Sequence, residues 1–400
     1  MSNAQRNIFS WIILSLSGIG LFLSAWILLP PANMTLFILA VGASEVCPWL
    51  LISNLIILLL GFFTIHRSQF KIVTTITSLI AILICASQLA EIRPTQLRLN
   101  NTIATELGQN YQAKIPSSAK SNMRNAPFIF IDAFRGIPLT KTRQLKNIRF
   151  TNPENIPLEM DIYQPPQPGK YPALIIIYGG AWQSGTPANN SEFSQYMAAR
   201  GYTVFAIAYR HAPEYPFPAQ LNDVRTAINF IQKHASKYEA DSDRIVLMGR
   251  SAGGHLAMLA AYQADAPAIK AVIAYYTPVN LTTGYQNPPI PDPINTRKIL
   301  TAFLGGSPQQ KPQEYQTASP INYIKPDLPP TLLIHGNRDR IVEAKYSQQM
   351  YDALRKSNNI AVFLAIPWAE HGFDTIFNGV SNQLALYYTE RFLAWVLAQK

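Results

Sequence analysis

The alternation of apolar and polar positions changes character near residue 92. Before it, three stretches, Ile8 to Leu29, about Trp49 to Ile65, and Ile72 to Ala90, run apolar without one charged residue. Each has roughly the 17 to 25 residues that a helix needs to cross a hydrocarbon layer about 30 Å thick. A chain that is apolar on every side of such a helix has no face to offer water, so the pattern predicts three transmembrane helices within residues 1–91. Met34 to Gly42 is too short to span and is cut off from the second stretch by Glu45 and Pro48, which marks it as re-entrant or interfacial. The first stretch reads as an uncleaved anchor rather than a signal peptide, because two further apolar stretches follow and no small-residue cleavage site precedes Pro30.

From Ile92 to Lys146 the chain turns polar, with a short helix predicted within Thr95 to Tyr111 and an apolar knot, "PFIFIDAF". Residues 92–146 are expected to form a linker that tethers the C-terminal region, with a lid over an apolar pocket as the alternative. Beyond Asn147 the period shortens. "NIRFT" and "LEMDIYQP" predict a hairpin pair, and "PALIIIY", "TVFAIAY", "RIVLMG", "AVIAYY", "TLLIHG" and "AVFLAIP" predict strands buried on both faces. Helical patterns separate them at Ser191 to Arg200, Pro218 to Tyr238, Ala252 to Gln263, Glu343 to Ser357 and Val380 to Leu397. Strands alternating with helices imply a mostly parallel central sheet with helices on both faces, so the expected fold class is α/β, one large domain over residues 147–400. An insertion from Asn280 to Tyr323, rich in Pro, Gln and Asn, is expected to cover a pocket, with "RKILTAFLG" as a short cap helix.

Charge adds an orientation. Arg6 precedes the first span and Arg67 and Lys71 lie between the second and third, whereas the loop from Pro30 to Pro48 has no basic residue. The excess of basic residues on cytoplasmic loops therefore puts the N-terminus inside and everything beyond Glu91 on the non-cytoplasmic side, although Arg93 and Arg98 follow the third span. The net charge of +10 is scattered, with no basic run interleaved with aromatics, so nucleic acid is not an expected partner. The two cysteines, Cys47 and Cys85, lie in or beside the spans, so neither a disulfide framework nor a metal site is expected, and no cofactor is implied. The sequence leaves oligomeric state open.

Candidate chemistry lies at the carboxyl ends of the predicted strands, where an open parallel sheet gathers its ligands. Gly249-Arg250-Ser251-Ala252-Gly253 fits G-x-S-x-G directly after a strand and before a helix. The small residues two places either side of Ser251 are those a sharp strand-to-helix turn requires. A serine nucleophile needs a base and an orienting acid, in this fold in the order Ser, acid, His. Of six histidines, His66, His211 and His234 precede Ser251, His255 lies one turn down its helix, and His335 ends the strand before the acid loop. That leaves His371 in "PWAEHGF", after the last predicted strand. Asp339, just past "TLLIHG", is the expected acid, and Glu343 is the reserve. The glycines of "IIIYGGAWQSG" let a loop approach the substrate, so the N–H groups of Gly180 and Ala181, with that of Ala252, are the expected oxyanion hole.

From about Asn147 onward the chain resembles the α/β-hydrolase superfamily, in its carboxylesterase branch near the hormone-sensitive-lipase-like and feruloyl-esterase-like groups. "GRSAGG", "YGGAWQSG", "AYRHAPEYPFPAQLND", "ASPI" and "LLIHGNRD" carry the resemblance in the expected order. It implies the same triad, Ser251, Asp339 and His371, and the same oxyanion donors. Two positions depart from it: Tyr178 stands where a histidine usually opens the glycine loop, and Ala181 where a third glycine is common. Both keep the backbone donors and alter pocket shape. The expected activity is that of a membrane-anchored serine esterase acting on a small-molecule or lipid ester. A peptidase or acyltransferase of the same fold, and a catalytically idle membrane-bound binding module, are the alternatives.

Overall fold

A computed structural model describes residues 3–399; Met1, Ser2 and Lys400, the extreme ends of the membrane region and of the hydrolase domain expected above, lie outside the described residues. Among these, three helices are long and apolar enough to cross a membrane, and they correspond to the three predicted stretches. They are α1 (Asn3–Ala25), α3 (Cys47–Thr64) and α4 (Ser68–Ala90). The three pack on one another with their polar residues inward: Ser10, Ser17, Ser24, Asn54, Thr74 and Ser78 are buried. Their large apolar side chains point out, among them Trp11, Ile19, Phe22, Phe63 and Leu83. This is the reverse of a water-soluble bundle. It is the arrangement a helix bundle adopts where the surroundings are as apolar as leucine and close contact between small residues holds helices together. Gly61 provides such a contact, since a Cβ there would press on the Thr74 side chain.

The short segment before the second span is α2 (Met34–Glu45), N-capped by Asn33, whose Oδ1 accepts from the Leu36 N–H at 3.0 Å. Phe37, Ala40, Val41 and Glu45 bury one side of α2, which packs against the C-terminal helix Val380–Ala398. Beyond Glu91, α4 leads almost without a break into α5 (Ile92–Leu107), which ends at Gly108 with φ +96°.

Residues 92–146, read from the sequence as a polar linker or lid, contribute apolar side chains to the core: Ile92, Leu99, Ile103 and Leu107 are buried in one hydrophobic cluster with residues of the central sheet. Arg124 holds its far end, giving a guanidinium hydrogen bond to Asp132 (3.2 Å) and another to Gln383 (2.8 Å) of the C-terminal helix. Arg93, Arg98 and Asn101 of α5 are exposed, whereas Thr95 and Gln96 are buried with its apolar residues.

The rest is an eight-stranded sheet in the order β1-β2-β4-β3-β5-β6-β7-β8. The strands are β1 (Arg143–Thr151), β2 (Leu158–Gln164), β3 (Tyr171–Ile177), β4 (Thr203–Ile207), β5 (Ala240–Arg250), β6 (Ala271–Tyr275), β7 (Thr331–Gly336) and β8 (Ala361–Ile366). β1 and β2 pair antiparallel, β2 also runs antiparallel to β4, and all pairs from β4 through β8 are parallel. The continuous apolar runs of β3, β4 and β6 follow from this, because helices cover both faces of a parallel sheet. β3 and β5 lie side by side at its centre, so the loops after them, carrying Gly179–Gly180 and Ser251, emerge next to each other.

Candidate active site

β5 ends at Arg250 and the helix Ala252–Tyr262 begins two residues later, leaving Ser251 alone in the turn. Its backbone sits at φ 51°, ψ −121°, a conformation that costs about 1–3 kcal/mol for a residue with a side chain. The surrounding small residues make this turn possible. A Cβ on Gly249 would meet the backbone of Gly253, and one on Gly253 would meet the carbonyls of Ile177 and Tyr178 at the end of β3. Main-chain bonds fix the corner, with the Ser251 N–H donating to Tyr275 O at 2.9 Å.

The three residues singled out from the sequence meet here. His371 Nε2 lies 2.9 Å from Ser251 Oγ and His371 Nδ1 lies 2.7 Å from Asp339 Oδ2. With Nδ1 carrying the proton toward the carboxylate, Nε2 is left to accept from the serine hydroxyl. Asp339 is 3% exposed, and its other oxygen, Oδ1, accepts the N–H groups of Ile341 and Val342, each at 2.8 Å. Burial pushes its carboxyl upward, but the His371 charge and hydrogen bonds from His335 and His371 outweigh it and hold the group well below the usual carboxylate range. The reserve acid, Glu343, is elsewhere, paired with Lys345 at 2.6 Å on the surface.

Sequence reasoning set His335 aside as a base and missed its position. Its Nε2 lies 3.0 Å from Asp339 Oδ2 and 2.7 Å from Val342 O, while Nδ1 takes the Ser347 hydroxyl at 2.7 Å. It thus braces the same carboxylate oxygen that faces His371. Also missed was a buried trio beneath the base. Tyr276 O–H donates to one oxygen of Asp374 and the Arg250 guanidinium to the other, and the Tyr276 ring lies 4.5 Å from the His371 ring. Arg250 is the variable residue of G-x-S-x-G and Asp374 lies three residues beyond His371, so each neighbours a motif without belonging to it.

The loop after β3 passes directly over the nucleophile: a Cβ on Gly179 would lie 3.3 Å from Ser251 Cβ. Gly180 (φ 132°), Ala181 (φ 54°) and Trp182 (φ 60°) then turn back through left-handed conformations. Among the described residues, no main-chain carbonyl accepts the N–H of Gly180 or Ala181, and Ala252, first in its helix, has the free N–H of a helix start. Tyr178, in place of the usual histidine, stacks on Tyr209 at 4.4 Å, and its hydroxyl lies 3.0 Å from His211 Nε2.

Trp182 ties this loop to the insertion. It stacks flat on Phe303 of the helix Thr296–Leu304, ring centres 4.1 Å apart, and its indole N–H donates to His255 Nδ1 at 3.2 Å. His255 Nε2 in turn faces Ala318 O at 2.6 Å. Burial lowers the His255 pKa from 6.5 to about 4, partly opposed by that carbonyl. The native state therefore keeps the ring neutral while the unfolded chain protonates it below pH 6.5. Stability is complete above that pH and falls, by roughly 3 kcal/mol, as pH drops to 4. His255→Gln, whose amide can accept from Trp182 and donate to Ala318, is expected to flatten this slope in denaturant unfolding between pH 7 and pH 4; an unchanged slope assigns the acid sensitivity to other groups.

Ser251 and His371 open into a cavity of about 460 Å³ lined by Pro278, Leu281, Ile294, Ile299, Leu300 and Val342, much of it from the 280–323 insertion. None of residues 92–146 lines it, and Met34 of α2 does.

Residues 160–354 match the BD-FAE family model. A probable carboxylic ester hydrolase, LipM, of Mycobacterium tuberculosis is 30% identical over 260 residues, covering 60% of this chain and 58% of that protein. Esterase LipC of the same organism is 30% identical over 220 residues, covering 51% and 54%. The chain thus spans little more than half the length of these relatives. Among solved structures, the propionate-bound Est2 esterase of Thermogutta terrifontis superposes with a TM-score of 0.51 at 25% identity, covering 64% of this chain and 94% of that one.

Proposed function

We propose that this chain, an α/β-hydrolase of the carboxylesterase branch, is a membrane-anchored serine esterase that cleaves carboxylic esters through an acyl-enzyme on Ser251. The observation that carries the reading is the unbroken relay from Asp339 through His371 to Ser251 at the wall of an apolar cavity. His371 Nε2 takes the hydroxyl proton as Ser251 Oγ bonds to the ester carbonyl carbon. The oxyanion that forms is met by the N–H groups of Gly180, Ala181 and Ala252, each such donor being worth roughly a hundredfold to a thousandfold in rate. Collapse breaks the bond to the alcohol, which leaves with the proton from His371. Water, deprotonated by the same imidazole, then releases the acid and restores Ser251. Asp339, kept ionised, supports the imidazolium in both halves.

The test uses the full chain in detergent: a fluorophosphonate is expected to label Ser251, and p-nitrophenyl esters to be turned over. Absence of both label and turnover refutes the reading, and label without ester turnover indicates transfer of the acyl group to another acceptor.

The inward serines and outward apolar residues of α1, α3 and α4 support a multi-pass placement. Arg6 near the start of α1, and Arg67 and Lys71 at the start of α4, lie at one end of the bundle, where Trp11 meets Phe70, and this favours a non-cytoplasmic catalytic domain. A reporter active only in the cytoplasm, fused after Lys400, is expected to stay silent; a bright signal reverses the orientation.

A further inference from the structure

The cavity that holds Ser251 is completed by the membrane region. Met34 begins α2 nine residues after α1 ends at Ala25, and it shares the cavity wall with Ser251 and His371. Two further contacts fix it there. Arg338, adjacent to Asp339, gives its guanidinium N–H groups to the main-chain carbonyls of Ile27 and Leu28, where the chain leaves α1. Those carbonyls lie just past a helix C-terminus, where acceptors lack partners within the helix, so the guanidinium acts as the cap. At the other end of α2, Glu45 Oε2 accepts the Ser381 N–H at 2.8 Å, and the Gln88 amide of α4 donates to Ser44 O at 2.7 Å. The acid loop, the cavity wall and the end of the first span are therefore one packed body.

The surface around this junction is apolar. Leu28, Leu29, Met34 and Ile38 are each about half exposed or more, at the level where the spans give way to the hydrolase domain. Trp49, at the same end of α3, is 48% exposed and donates its indole N–H to Ala133 O at 2.9 Å, the amphipathic placement expected at a bilayer surface. The nucleophile thus shares a cavity with Met34, a residue of the segment that joins the first two spans.

From this we infer that the ester taken by the enzyme is a bilayer-resident amphiphile whose apolar chain reaches Ser251 past Met34, directly from the membrane surface. The inference rests on the esterase reading and adds the source and class of the substrate. An ester arriving from bulk water would need no wall built from the membrane region. A chain entering past Met34 meets apolar side chains at both ends, Leu28 and Leu29 at the junction and Leu281, Ile299 and Leu300 in the cavity.

The experiment uses the full chain reconstituted in phosphatidylcholine vesicles, with 4-methylumbelliferyl palmitate dissolved in the bilayer and 4-methylumbelliferyl acetate in the water. Palmitate in the enzyme's own vesicles is expected to be cleaved at least tenfold faster than the same amount in separate, enzyme-free vesicles. Met34→Trp, which obstructs the wall, is expected to lower the ratio of palmitate to acetate kcat/KM by tenfold or more. Met34→Gln, of similar volume and polar, is expected to move the ratio the same way, and an unfolding midpoint matching that of the unmodified chain shows that either variant is folded. Equal rates from the two vesicle populations, or a ratio unchanged in both variants, would overturn the inference while leaving the esterase standing. Absence of turnover of both esters by the unmodified chain would sink the esterase reading and this inference with it.

Discussion

Ser251→Ala is expected to lower kcat for ester hydrolysis by about five to six orders of magnitude, leaving a residue of roughly a thousandfold over water that comes from binding and oxyanion donors alone. The size of the effect comes from the relay: with no hydroxyl, His371 has nothing to deprotonate, and the acyl-enzyme route closes. KM should change little, because the cavity lining is otherwise intact. The fold should hold, since a methyl group occupies less space than the hydroxymethyl it replaces and the Ser251 hydrogen bond to Tyr275 is made by the backbone. A p-nitrophenyl ester series, read beside the unfolding midpoint of the variant, checks both halves. Loss of less than tenfold would mean that another group attacks the ester.

Asp339→Asn should rank next, at about ten-thousandfold in kcat. The aspartate oxygens receive four donors: Ile341 and Val342 N–H on Oδ1, and the two histidines on Oδ2. An amide has one oxygen for these two groups. If its oxygen stays with the backbone, the NH2 faces His371 Nδ1 and forces the proton onto Nε2, the atom that must accept from Ser251. If it flips, two backbone N–H groups lose their acceptor in a dry interior, at about 1–3 kcal/mol each. Either way the base is lost or the acid loop loosens, and KM alone should stay near its original value. Steady-state kinetics, compared with the rate of fluorophosphonate labelling, separate the outcomes: the tautomer error slows labelling and turnover together. A loss confined to KM would show that Asp339 shapes the cavity and leaves the base alone.

The positions of Ser251, His371 and Asp339 were legible because each lies a few residues past a strand end, and strand ends are visible as the close of an apolar run. The sheet itself was legible for the same reason. His335 was harder to read: a histidine ending a buried strand looks like core, and only the bend of the Asp339 loop brings its Nε2 back to the carboxylate. The packed state of α5 was readable in principle. Ile92, Leu99, Ile103 and Leu107 fall on one helical face, but an overall polar composition hid the stripe. The inward face of the spans was readable too, since Ser10, Ser17 and Ser24 recur every seven residues. Arg338 and Met34 could not be read. The first meets carbonyls some 311 positions earlier, and nothing local marks the second as part of a cavity made mostly of residues far along the chain.

The anchoring of α2 has a practical side. By residue number α2 belongs to the hydrophobic preamble, and by contact it belongs to the domain that carries Ser251, so a border drawn along the polypeptide does not coincide with one drawn through space. A catalytic fragment excised at residue 92 would lack Met34 from its pocket, the carbonyls that Arg338 caps, and the carboxylate that holds the start of the C-terminal helix. Kinetics recorded on such a fragment would describe a different binding site from the one the intact chain carries.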